Sequence, residues 1–274
     1  MRKMVPLILA LLACSCSREE PRNVVVRPEG SAGLVHRTRG SVRGGFELAS
    51  SPVVSGAPIL VRFWVENTGS SPIRFRQGGD WYQKGPLHFT WLVSDASGKV
   101  ECDLRARPEP MSGGGHSIDK TLAPGQRDEQ WLAPQTGCDA LLAPGRHRLR
   151  GVRILADETH EPDECRAILV PDTTVSPPDD RGVKESPACL AWLLAAPAIA
   201  SEFEVEVLRY EAGAVRAAIT SEMAVDGGEG RMGALGQYAM WLAFRLGREP
   251  EWGANPATQL QRLAAALPAA LPAR

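Results

Sequence analysis

An antiparallel β-sandwich with a short helical C-terminal extension is the fold that this 274-residue sequence predicts. Three observations predict it. From Gly45 to Tyr210 the chain runs as seven or eight short stretches that alternate in polarity and are rich in β-branched and aromatic residues. Between them stand Gly, Pro, Asn and Asp, the residues that tight connections need. After Tyr210 the composition turns helix-forming.

Residues 1–13, MRKMVPLILALLA, read as an export signal: Arg2 and Lys3 form a basic head, Met4 to Leu12 an apolar core, and Ala13 stands directly before Cys14. The apolar core is far shorter than the roughly 20 residues of a spanning helix, so removal is expected. Leu11-Leu12-Ala13-Cys14 resembles the lipobox of bacterial lipoproteins, which implies a diacylated Cys14, cleavage just before it and acylation of the new amino terminus. Leu12 is larger than the residue usual there, and Ala13-Cys14-Ser15 before Cys16 is a second, weaker candidate. Each buried CH₂ contributes about 0.8 kcal/mol and two or more chains anchor stably, so the mature chain is expected on a membrane surface. Ser15 implies the outer membrane in a Gram-negative host. The competing reading is an ordinary secretory signal with Cys14 incidental.

Residues 14–42 mix charge with Gly, Pro and Ser without a sustained period and read as a flexible tether, in which Val24 to Val26 are an alternative edge strand. Arg37, Arg39 and Arg43 could touch lipid headgroups there, but a solvated linker explains them more simply. The formal net charge is −1, so no global field draws a nucleic acid, and none is expected as a partner.

Residues 43–210 carry the sandwich. Alternation points Ile59, Val61, Phe63 and Val65 inward, with Ile73, Phe75, Leu87, Phe89, Trp91, Val93, Phe203, Val205 and Val207. VRFWVENTGSSPIRF becomes two strands joined at Asn67 to Ser71, and Asp95-Ala96-Ser97-Gly98 joins the next pair. Leu122-Ala123-Pro124-Gly125 and Leu142-Ala143-Pro144-Gly145 repeat a Pro-Gly corner. Arg146, Arg148 and Arg150 match Glu202, Glu204 and Glu206 as a cross-strand ladder. Leu149 and Val152 fall out of phase, which predicts a bulge at Gly151.

The order ENTGSSPIRF, WLVSDASGKV, TLAPGQ with a tryptophan strand, then LLAPGRHRLRG resembles the bacterial Ig-like domain typified by the intracellular proteinase inhibitor family. Val65, Asn67, Ile73, Asp95, Gly98, Leu122, Pro124, Gly125, Trp131, Pro144, Gly145, Arg146 and Leu149 carry it, over residues 55–155. The resemblance implies an immunoglobulin-like sandwich and permits proteinase inhibition through an exposed loop, but these positions set the fold and none transfers as a reactive site. Where such domains tend to have tyrosine in the second corner, this chain has His147, and its export signal and cysteines also depart from an intracellular inhibitor.

A long insertion, 157–197, interrupts the last two strands. Apart from Cys14 and Cys16 the chain has Cys102, Cys138, Cys165 and Cys189, an even number that in an exported protein argues for two disulfides with three connectivities. Cys165 with Cys189 would tie the insertion and leave Cys102 with Cys138. Residues 211–274 are the helical extension; Asn255-Pro256 supplies a cap and a first-turn proline. Leu235, Tyr238 and Leu242 share a stripe beside Trp241, expected to pack on the sandwich over Leu60 and Trp64.

Catalytic chemistry is sparse. His160, Glu161, Asp163, Glu164 and Cys165 match no zinc spacing and no calcium loop. His116, Ser117 and Asp119 on one loop make no nucleophile relay, and no Gly-x-Ser-x-Gly elbow occurs. The glycine-rich 226–233 lacks the Gly-Lys-Ser/Thr of a phosphate loop and reads as a connection between helices. No metal, cofactor or catalytic group is therefore expected. The expected function is that of a lipid-anchored envelope protein acting as a binding or structural module, with a protein partner met by Trp81, Tyr82 and Trp192. Proteinase inhibition is the alternative, and a hydrolase using His116 or His160 a more distant one.

Overall fold

The computed structural model describes residues 35–78, 89–103, 117–138, 141–155, 195–226, 228–251 and 254–271. Its strands are β1 (Val35–Arg39), β2 (Val42–Leu48), β3 (Val53–Val54), β4 (Val61–Asn67), β5 (Ile73–Gly78), β6 (Phe89–Asp95), β7 (Val100–Asp103), β8 (Ser117–Leu122), β9 (Arg127–Leu132), β10 (Gly145–Ile154) and β11 (Ala198–Leu208). A 3-10 turn spans Pro134–Gly137, and three helices follow: α1 (Ala212–Ala224), α2 (Gly228–Arg245) and α3 (Pro256–Ala265). The protein is thus mainly β.

The largest sheet runs β1-β11-β10-β6-β7, with β3 added to β11; a second runs β2-β4-β9, and β5 pairs with β8. Only β3 joins its neighbour in parallel among the described strands. Alternation decides which faces meet. Phe46 and Phe63 of the second sheet pack against Phe89 and Trp91 of the first, with Phe46 5.0 Å from Phe63, 5.9 Å from Phe89 and 5.1 Å from Trp91 between ring centres. The two faces bury this cluster between them, an arrangement consistent with a β-sandwich. Every inward residue expected on β4 is buried, as are Phe75, Phe89, Trp91, Val93, Phe203, Val205 and Val207; Ile73 is half-buried, and Leu87 lies outside the described residues.

The arginine and glutamate rows stand in register, Arg146 opposite Glu206, Arg148 opposite Glu204 and Arg150 opposite Glu202. The close contact is diagonal, Arg148 Nε to Glu202 Oε1 at 3.2 Å, between exposed groups that contribute at most about 1 kcal/mol.

Asn67 is where the chain changes sheets. β4 pairs with β9, while their sequence neighbours β5 and β8 pair with each other. The Asn67 amide, fully buried, donates at 2.8 Å to the carbonyls of both Ser71 and Leu122, and its oxygen accepts from Gly69 N. The second turn closes with Gln126 N–H on Ala123 O, which needs positive φ at Gly125, and it has 74°.

Several expectations are corrected. Val35–Arg39, placed in the tether, pair with β11 as an edge strand, and Val42 belongs to β2; sheet pairing overrides a polar composition that suggested a linker. Ser117 to Lys120, read as loop, open β8, because β5 offers them a partner strand. Gly151 marks no bulge. Register is unbroken from Gly145 to Ile154, so His147, Leu149, Gly151 and Arg153 all face inward. Gly151 is small because Trp91 lies over it: a Cβ there would come within 2.7 Å of the indole ring. Most of 226–233 is helical, since α2 begins at Gly228; Arg231, buried against Trp131, outweighs the weak helix propensity of its glycine neighbours.

The helices do cover the sandwich. Leu60 is buried, and α2 lies along β9, where the Arg231 guanidinium sits 4.6 Å from the Trp131 ring centre and pairs with Glu222 of α1. Trp64 meets a different cover: Arg127 lies 4.5 Å over its ring.

Candidate functional site

Cys14, Trp81, Tyr82, His116, His160, Cys165, Cys189 and Trp192 fall outside the described residues. What the described strands do place is where the segments that carry all of these but Cys14 join the fold. Thr38, Ile199, Arg153 and Phe89 stand in line across β1, β11, β10 and β6, and Asp103 of β7 pairs with Leu92. These positions mark one end of the largest sheet. Segments 79–88, 104–116 and 156–194 each join that sheet at this end, through Phe89, Asp103, and Leu155 and Ala195 respectively.

The residue that distinguishes this end is Arg153. It is 1% exposed, with its guanidinium 4.8 Å from the centre of Phe89 and 5.6 Å from that of Phe75. A desolvated cation over aromatic faces gains about 2 kcal/mol from the contact. Sequence reasoning missed it, because the bulge expected at Gly151 would turn Arg153 outward; unbroken alternation from Leu149 was the signal.

At the opposite end of β10, His147 is buried. Its Nε2 lies 2.6 Å from Ala143 O, four residues upstream, and its Nδ1 lies 2.8 Å from Glu101 Oε2 on β7. Nearby, the β6–β7 turn is organised by Asp95. Its carboxylate accepts from the Ser97 hydroxyl and from the Ser97 and Lys99 amides. Its acidity is increased, first by the Ser97 hydroxyl and then by those amides.

Cys102 and Cys138 form a disulfide, the pair expected if Cys165 bonds Cys189, and both are buried. It ties edge strand β7 to the connection between β9 and β10. The helices grip that same connection: Trp241 Nε1 donates to Cys138 O at 3.3 Å. Tyr238, on the same helix, donates its hydroxyl to Gly56 O at 2.6 Å, and burial pushes that phenol well above the ordinary tyrosine range. Beneath them a small recess, part of it open to solvent, is lined by Val53, Ile59, Leu142, Val207 and Trp241. Its hydroxyl, Ser55, donates to Leu142 O at 2.8 Å. Among the described residues, no group of three or more His, Cys, Asp or Glu is placed to hold a metal, and no helix is long and apolar enough to cross a membrane.

No protein-family model matches the chain, and no curated protein does. Among solved structures it is similar to a β-glucosidase from Listeria innocua in complex with gluconolactone, at 10% identity over 62% of this chain and 16% of that one, with a TM-score of 0.28. It is also similar to a β-glucosidase from Erythrobacter marinus, at 13% identity over 40% of this chain and 13% of that one, with a TM-score of 0.23. The chain spans a small part of either enzyme's length, and nothing about its own activity follows from the likeness.

Proposed function

We propose that this chain is an exported, lipid-anchored cell-envelope protein whose central domain is immunoglobulin-like and acts as a binding or structural module. The observation that carries the binding role is the shared end of the largest sheet. Three long segments, two of them bearing Trp81, Tyr82 and Trp192, join the sheet there. Rigid sandwiches commonly present binding loops in this way.

Pairing order supports the immunoglobulin-like reading. β11-β10-β6 follows the G-F-C order of such sandwiches, and β4 with β9 follows B with E. His147, at the start of β10, bonds back to the backbone four residues upstream, as a corner tyrosine does. The departure is β8, which in a constant-type domain would extend the β9 sheet but here pairs with β5. Export is supported by the MRKMVPLILALLAC segment and by the Cys102–Cys138 bond, since such bonds persist in oxidising compartments.

Fractionation tests the anchor. The unaltered chain should sediment with membranes and a chain with both Cys14→Ala and Cys16→Ala should be released to the soluble fraction; retention of that double variant in the membrane sinks the anchoring claim. Cross-linking in intact cells tests the partner. Replacing Trp81, Tyr82 and Trp192 with alanine should abolish any captured complex, and an unchanged complex would move the contact elsewhere.

A further inference from the structure

The outward positions of β10, Arg146, Arg148, Arg150, Val152 and Ile154, alternate with the buried His147, Leu149, Gly151 and Arg153. Opposite them in β11 stand Glu206, Glu204, Glu202, Ala200 and Ala198. The outer face of the largest sheet therefore sets a row of cations beside a row of anions, and both rows pass into aliphatic residues at the same end. The helices lie elsewhere, against β9, the 3-10 turn and β3. Arg148 and Glu202 pair with each other and stay about half exposed. Arg146, Arg150, Glu204 and Glu206 are exposed as well, and among the described residues they form no ion pair.

Such a face complements itself about one axis. A twofold axis in the contact plane, parallel to the strands and midway between β10 and β11, carries β10 of one copy over β11 of the other. Each arginine then meets a glutamate of the second copy: Arg146 over Glu206, Arg148 over Glu204 and Arg150 over Glu202. Val152 likewise meets Ala200, and Ile154 meets Ala198. A twofold axis across the strands would instead lay the arginine row on itself. We propose that two copies of this chain associate through the outer face of β10 and β11 about the axis parallel to the strands. A twofold contact uses one patch on both copies, and charge complementarity gives it orientation more than strength. The face is modest: ten residues of β10 at about 3.4 Å each, over four strands about 4.8 Å apart, give at most roughly 650 Å². A standard interface takes roughly 800 Å² from each partner, so the dimer should be weak, dissociating in the micromolar range. It uses a different surface from the end where the long segments join, and stands whether or not that end binds a partner or the chain carries lipid.

Sedimentation equilibrium tests it on the full chain with Cys14→Ala and Cys16→Ala, which removes any lipid and leaves the described residues unchanged. Between about 1 and about 100 µM the average mass should climb from that of one chain toward twice it, and a single-chain mass throughout overturns the proposal. Arg148→Glu sets glutamate against Glu204 across the axis, and Glu204→Arg sets arginine against Arg148. Each variant alone should lose about tenfold or more in association. An equimolar mixture of the two should regain it, because every such contact in the mixed pair again joins opposite charges. A dimer indifferent to the single changes, or one that the mixture fails to restore, overturns the axis and the proposal with it. Both positions are exposed, and circular dichroism checks that each variant folds. Salt gives a reading that needs no variant at position 148 or 204. Raising it from about 0.01 M to about 1 M shortens the screening length from about 30 Å to about 3 Å and should weaken the dimer severalfold; a dimer indifferent to salt refutes the contact.

Discussion

Asn67 does with one side chain what the rest of its turn cannot. The residues Asn67 to Ser71 read from sequence as a connection between two strands, and they are one. What no local pattern announces is that the amide also reaches Leu122, 55 residues further on, and so joins the first turn to the Pro-Gly corner. Asn67→Ala removes three hydrogen bonds, one of them to the buried Leu122 carbonyl, so it should cost about 3 kcal/mol of unfolding free energy, read from urea midpoints. Asn67→Asp should cost more, since a carboxylate oxygen would then face the carbonyls of Ser71 and Leu122. Arg153 teaches the reverse lesson. Its place in an alternating strand makes it inward, but a charge at an inward position looks wrong until Phe75 and Phe89 are seen beside it.

Elements obey their local signals where those signals are chemical. Asn255 caps α3 by accepting from Ala257 N and Thr258 N, as Asn-Pro before a helix-forming run foretold. Asn255→Ala should lower stability by about 1 kcal/mol, measured by thermal unfolding followed by circular dichroism. The register of β10 with β11 was likewise legible, because placing three arginines opposite three glutamates avoids like charges across the pair. Signals failed where partners were distant. β1 and β8 have unremarkable compositions and become strands because β11 and β5 present open edges to them. Gly151 looked like a bulge because its neighbours were judged alone; Trp91, sixty residues earlier in the chain, is the reason for it.

At the scale of the molecule, one disulfide and one helix hold the same connection. Cys102 is separated from Cys138 by 36 residues, so removing the bond by replacing both cysteines with alanine should lower stability by about 4 kcal/mol on the chain-entropy account. Comparing urea midpoints of that variant with the oxidised and reduced parent checks it. A parent whose midpoint is unmoved by reductant would show that Trp241 and Tyr238 suffice to hold the connection. By itself the sequence determined the strand-rich composition, the turn chemistry, the paired cysteines, the helical C-terminal region and the expectation of export, because each rests on residue type and short spacing. Only the tertiary structure decided which strands pair within each sheet, that β4 and β5 part company at Asn67, that Arg153 is inward, and that His147 meets Glu101. Those depend on contacts between residues tens of positions apart, and short-range periodicity carries no record of them.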